Sequence, residues 1–258
     1  MKILHFYQST IGKKVIVAVT GAIMVGFLVL HVYGNMHVYF GAQKINDYSV
    51  WLRTFGSHLF GEGGLLWIIR VVVGGALILH IITVAQLIAR NRAARPVQYR
   101  VTSRRRRIIV GSTMAVSGLC LLAFLVFHIL QFTTGTIHPT SFHEKNGIGI
   151  VYINLYEAFQ VTWIAWVYIG AVALLGFHLY HGAWSFFQTM GWNNPDRNTT
   201  LRRFSTVLAA GLFIGFASVP FLFWAGVMPE PTGDQLVESM QPETEGEGLA
   251  AEGGESWN

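Results

Sequence analysis

The sequence predicts an all-α integral membrane protein, a bundle of five transmembrane helices, and three observations carry that expectation. Of its 258 residues, 52% are hydrophobic and 12% charged, with a mean hydropathy of +0.45, a balance that excludes an ordinary soluble domain. Five apolar runs are long enough to cross a hydrocarbon core about 30 Å thick, which takes roughly 20 helical residues. The basic residues gather on one side of those runs.

The first span, 15–33, follows Lys13 and Lys14 and contains the string FLVLH at Phe27 to His31. It is too long for a signal peptide and lacks a small-residue cleavage motif, so it is expected to remain as a helix. The second, 65–89, holds His80 and the one basic residue inside a span, Arg70. The third, 108–132, repeats the first in nearly the same letters, FLVFH at Phe124 to His128. It also holds the single cysteine, Cys120, which offers no disulfide, iron–sulfur or zinc framework and is expected in the core. The fourth, 163–187, carries His178 and, one turn on, His181, and the fifth, 204–227, has no histidine. The tail at 229–258 holds eight of the thirteen acidic residues and no lysine or arginine. It is expected to be disordered.

Charge orients the bundle. Lys2, Lys13, Lys14, eight arginines from Arg90 to Arg107, Arg197, Arg202 and Arg203 fall on one side, against Lys44, Arg53 and Lys145 on the other. The positive-inside rule then puts the amino terminus in the cytoplasm and the carboxy terminus outside the cell (inner) membrane. The run SRRRR at 103–107 between two spans reads as a basic stop in contact with membrane lipid, not as a nucleic-acid site.

Four spans carry one histidine each, His31, His80, His128 and His178, at separations of 49, 48 and 50 residues. Ionisable groups inside a membrane are costly and face a partner or cavity. At a rise of about 1.5 Å per residue, His31 lies roughly 25 Å along its helix from Lys14 and His128 roughly 32 Å from Arg107. The second and fourth helices run the other way, which puts His80 about 15 Å from Arg90 and His178 about 21 Å from Trp192. The four rings therefore form an outer and an inner pair.

Two imidazoles at one depth suit bis-histidine ligation of a haem iron, each ring giving one nitrogen to the metal and its other N–H to a nearby acceptor. Zinc needs further ligands at each level. The expectation becomes five helices enclosing two b-type haems. Thr20-Gly21 and Ser117-Gly118 stand at equal spacing before His31 and His128. About three turns below on nearly the same helix face, they reach the inner depth, where small residues leave room for the inner macrocycle. Arg70 comes near the outer level, where it would bind a haem propionate or a quinone carbonyl, or else snorkel to the interface. His5 and His37 read as interfacial, and His58, His138 and His143 as loop residues. Glu62, Glu157 and His58 stand at outer helix ends, where quinone protons could be exchanged. Trp163, Trp166, Trp224 and Tyr168 read as interface belt or packing.

Residues 1 to about 228 resemble the five-helix, two-haem cytochrome b anchor subunit of succinate:quinone oxidoreductases and fumarate reductases. The resemblance rests on T-G-x9-H from Thr20 to His31, S-G-x9-H from Ser117 to His128, and H-x3-G-x-W-S-F-x4-G from His178 to Gly191. It implies distal haem ligands at His31 and His128 and proximal ligands at His80 and His178, with His181 in a supporting role. It also implies a cytoplasmic flavoprotein (FAD) subunit that oxidises succinate, an iron–sulfur subunit docked on this chain, and electron passage through both haems to menaquinone, or the reverse. Arg104 to Arg107 are candidates for docking that partner. In some fumarate reductases a glutamate stands two residues before the fourth ligand, where this chain has Gly176. Two other readings are a cytochrome b serving a hydrogenase or formate dehydrogenase, and a transporter or scaffold with packing histidines. Complexes of the bc type place two ligands on each of two helices, unlike the pattern here.

Overall fold

A computed structural model describes residues 2–94, 104–140, 142–145 and 148–232. The short helix α1 (Lys2–Gln8) turns at Ser9 into α2 (Thr10–Met36). The Ser9 hydroxyl accepts from the Gly12 N–H at 2.8 Å, an N-cap that satisfies one of the helix's free donors. A 3-10 turn, His37–Phe40, leads to α3 (Ala42–Thr54) and the single turn α4 (Ser57–Phe60). Then come α5 (Gly64–Ala93), α6 (Arg104–Phe132), a two-residue antiparallel ladder of Glu144–Lys145 with Ile148–Gly149, and α7 (Val151–Gln160). The chain continues through α8 (Thr162–Thr189) and α9 (Pro195–Trp224).

Helices α2, α5, α6, α8 and α9 contain five segments long and apolar enough to span a membrane, and they match the five predicted runs. The largest difference is at α9, which starts at Pro195 instead of 204. Asn194 caps it by accepting from the Arg197 N–H at 2.8 Å, Pro195 opens it and Asp196 sits in its first turn. Those polar start signals extend a helix beyond its apolar stretch, where hydropathy has no view of it.

Many large apolar side chains on the spanning helices turn outward, among them Val71, Leu119 and Phe177. Cys120 is exposed with them instead of lying in the core as expected. This pattern suits a hydrocarbon solvent, in which outward apolar surface carries no penalty. Burial concentrates in two places. One cluster ties α3 and α7 to α8 and α9 through Ile45, Tyr152, Phe159, Ile164 and Phe223. The other joins α8 and α9 through Val172, Leu179, Leu212 and Phe216, with Val25, Leu28 and Val32 of α2 against it.

Helix packing is selective. Helices α8 and α9 adjoin along much of their length, and α5 lies along α2. Helix α6 leans on α8, while α2 also touches α8 and α9. Among the described residues, no comparable contact joins α2 to α6 or α5 to α8. Gly176 lets α9 approach α8, since a Cβ there would stand 3.5 Å from the Phe213 Cβ and 3.7 Å from the Ala209 carbonyl oxygen. Small residues at crossings are how membrane helices come close.

At the end bearing the lysines, α1 is fastened to the bundle. The Gln86 side-chain oxygen receives both the Tyr7 hydroxyl, at 3.1 Å, and the Lys13 ammonium. Lys13 also lies 4.0 Å over the Tyr7 ring, and Arg90 donates to the Gln8 carbonyl at 2.6 Å. The expectations for Arg95, Arg100 and the side chains of Arg104 to Arg107 lie outside the described residues, as does the acidic tail beyond Thr232.

Candidate functional site

The four histidines come from α2, α5, α6 and α8, one from each. "Inner" denotes here the level toward Lys13 and Arg90, and "outer" the level toward α3 and α7.

At the inner level, His80 Nδ1 lies 3.1 Å from the Thr20 hydroxyl, and His178 Nδ1 lies 3.0 Å from the Ser117 hydroxyl. Each hydroxyl has one proton, and each points it at its own helix. Thr20 donates to the Ile16 carbonyl at 2.7 Å, and Ser117 to the Met114 carbonyl at 3.1 Å. With the ring proton on Nδ1, each oxygen accepts from its imidazole and the lone pair is left on Nε2. Gly21 and Gly118 seat the same two rings. A Cβ added at either would stand 3.7 Å from the His80 Cε1 or 3.6 Å from the His178 Cε1. The room these glycines leave is thus taken in part by the histidine rings. His80 and His178 lie within electrostatic reach of each other.

At the outer level, the His31 and His128 ring centres are 6.0 Å apart with planes at 77°. Two imidazoles bound from opposite sides to one first-row metal at about 2.0–2.1 Å put their ring centres about 6.3 Å apart. His128 Nδ1 lies 3.2 Å from the Tyr168 hydroxyl, which donates its own proton to the Gln131 side-chain oxygen at 2.9 Å. The same proton accounting puts hydrogen on Nδ1 of His128 and leaves Nε2 bare. His31 forms ring contacts only, with Phe27, His128 and Phe216.

Among the described residues, two fully buried polar atoms beside these levels have no hydrogen-bond partner: Gln131 Nε2 and Thr83 Oγ1. Each belongs to a residue three positions after a histidine, one helical turn away. Leaving such a group unmatched costs about 1–3 kcal/mol, so both mark places where a ligand's polar atom would be stabilising.

Tyr168 and Gln131 are the site residues the sequence reading missed. Tyr168 was expected as belt or packing and is a buried hydrogen-bonding group. A signal existed: Tyr168 precedes His178 by ten residues, as Arg70 precedes His80. Arg70 itself is exposed, with its guanidinium carbon 5.0 Å from the Trp67 ring centre, and no hydrogen bond or ring contact joins it to His31 or His128. Burial first, and then the nearby Arg70 charge, hold the Arg53 guanidinium below its usual value.

The remaining histidines separate from the four. His181 Nδ1 bonds to its own helix at the Phe177 carbonyl, and His37 Nδ1 to the Tyr33 and Gly34 carbonyls. His143 pairs with Glu157 at 3.1 Å, and Thr140 joins the same carboxylate. His138 bonds to the Asn154 carbonyl, while His58 and Glu62 are exposed.

Among the described residues, no three His, Cys, Asp or Glu side chains form a metal-binding group. What the arrangement offers is pairs of neutral nitrogen donors. No family model, no curated protein and no solved structure matches this chain.

Proposed function

We propose that this chain is the membrane-anchor cytochrome b subunit of a succinate:quinone oxidoreductase, carrying electrons between an iron–sulfur subunit and menaquinone. His31 and His128 would hold one b-type haem, and His80 and His178 the other. The observation that carries the reading is the common state of three of these rings. His80, His128 and His178 each hold Nδ1 within 3.0–3.2 Å of a hydroxyl oxygen, a partner that in the Nδ1–H tautomer fixes the ring and leaves Nε2 free to bind a metal.

Packing supports the same reading. The outer pair faces across α2 and α6 and the inner pair across α5 and α8, two pairings that among the described residues lack the close contact of α2 with α5 or α8 with α9. A flat apolar macrocycle suits such gaps, and the unmatched Gln131 and Thr83 groups suit its polar edge. When bound, each haem supplies one-electron carriage, with its potential set by axial ligands and their hydrogen bonds. The residues of this chain orient the ligands, exclude water and supply the acceptors.

The basic end would lie in the cytoplasm and receive the iron–sulfur subunit, with a flavoprotein bearing FAD beyond it. Arg197, Arg202 and Arg203, all at or near the start of α9, are exposed or half-exposed there. A pyridine haemochrome assay on the purified chain tests the reading directly. Two haems b per chain are expected, and fewer than two with all four histidines intact would overturn it. Co-purification of a succinate-oxidising flavoprotein separates this donor from a hydrogenase or formate dehydrogenase.

A further inference from the structure

Two helix pairs, α2 with α5 and α6 with α8, treat their inner histidines alike and differ ten residues before them. Helix α2 supplies Thr20-Gly21 to His80 of α5, and α6 supplies Ser117-Gly118 to His178 of α8. Ten residues before those two histidines stand Arg70 and Tyr168. Tyr168 turns in and accepts from His128, whereas Arg70, which has no acceptor to offer an imidazole N–H, turns out. His31 is accordingly left with ring contacts alone.

We propose that Tyr168, held by Gln131, is the positioning residue of the outer haem site, fixing His128 from one side only and making the two outer ligands unequal donors. The inference rests on the haem reading above. Its chemistry is the hydrogen bond from His128 Nδ1–H to the phenol oxygen, which strengthens the ring's Nε2 as an electron donor and so favours ferric over ferrous iron. Gln131 is fully buried and takes the phenol proton, keeping the oxygen's lone pairs toward His128. Packing alone does not call for the hydroxyl, because the Tyr168 ring is already enclosed by Phe124, Phe132 and Phe159 at 4.9, 5.7 and 5.1 Å.

The test is a redox titration of Tyr168→Phe and, independently, Gln131→Leu, with each haem followed by its low-temperature absorption and ferric electron paramagnetic resonance signals. In Tyr168→Phe the outer haem's midpoint potential should rise and its ferric signal move, while the inner haem keeps both. Gln131→Leu should move the outer potential in the same direction by less. If Tyr168→Phe loses the outer haem and keeps the inner one, the positioning role also stands, since the hydrogen bond is then needed for binding. If it fails to assemble at all, Gln131→Leu decides by the same readout. An outer potential unmoved, or equal shifts at both haems, overturns the proposal. A wild-type chain with fewer than two haems overturns the functional reading instead, so the two failures are distinguishable.

Discussion

One proton decides much of the site's chemistry. Thr20 and Ser117 reach carbonyls of their own helices and Nδ1 of the imidazoles on neighbouring helices, so in the Nδ1–H tautomer they are the acceptors that orient those rings. Thr20→Val combined with Ser117→Ala should therefore weaken inner haem binding by about 10–100-fold, the usual cost of removing such a partner. Measured as haem retained through purification, the loss should fall on the inner haem. Equal loss at both levels would contradict the assignment. The ligands themselves make a complementary case: His31→Ala and His128→Ala should each abolish the outer haem and spare the inner one, read from absorption spectra at one haem per chain. At this scale the sequence was informative where it repeated itself. Thr20, Gly21, Ser117 and Gly118 stood out by spacing, and the structure brings them against His80 and His178. Tyr168 did not stand out, because an aromatic inside an apolar run has the same composition whether it packs or accepts a hydrogen bond. Only its position opposite His128 distinguishes the two.

Helices in this bundle are held at different distances, and the glycines record it. Gly215 of α9 faces α2 so closely that a Cβ would stand 2.6 Å from the Val32 Cγ2, whereas one turn earlier Gly211 meets nothing within 4 Å. Gly215→Leu should cost about 1–3 kcal/mol by overpacking that crossing, and Gly211→Leu much less. Unfolding in a graded denaturing-detergent series would measure both, and equal costs would argue against the close α2–α9 approach. Gly176 is the contrasting case. A Cβ there would meet the Phe213 Cβ and the Ala209 carbonyl at ordinary contact distances of 3.5 and 3.7 Å, so a small residue fits the α8–α9 crossing without strain. Gly176→Ala is therefore expected to leave the yield of folded chain nearly unchanged, in contrast to Gly215→Leu, as the same denaturation series would show. Long helices were legible because twenty apolar residues are an unambiguous signal. The short ones were not. Helices α3 and α7 lie between spans, where apolar residues such as Ile45 and Phe159 are too few to form a run, and they gain their burial by folding back onto α8 and α9.

The whole molecule combines an odd number of spanning helices with an uneven charge. Five helices long enough to span, each crossing once, predict opposite faces for the two ends of the bundle. The charge tally, fourteen basic residues against three outside the spans, predicts that the basic face is the cytoplasmic one. Lys13 is almost fully buried beneath Tyr7 and against Gln86, and Arg90 reaches the Gln8 carbonyl, so the basic end is closed by α1 folding across α2 and α5. Disturbing the cations of that end should weaken orientation and packing together. A fluorescent protein fused before Met1 should fluoresce, because it folds in the cytoplasm. An alkaline phosphatase fused after Thr232 should be active, because it matures only outside. Replacing Lys13 and Lys14 by glutamine should raise the share of inverted chains, seen as a fall in both signals at equal chain abundance. The effect should be partial, since the arginines from Arg90 to Arg107 still bias the next two spans toward the same arrangement. If both fusions report the same side, one of the five helices does not cross, and the depths that pair His31 with His128 and His80 with His178 lose their basis.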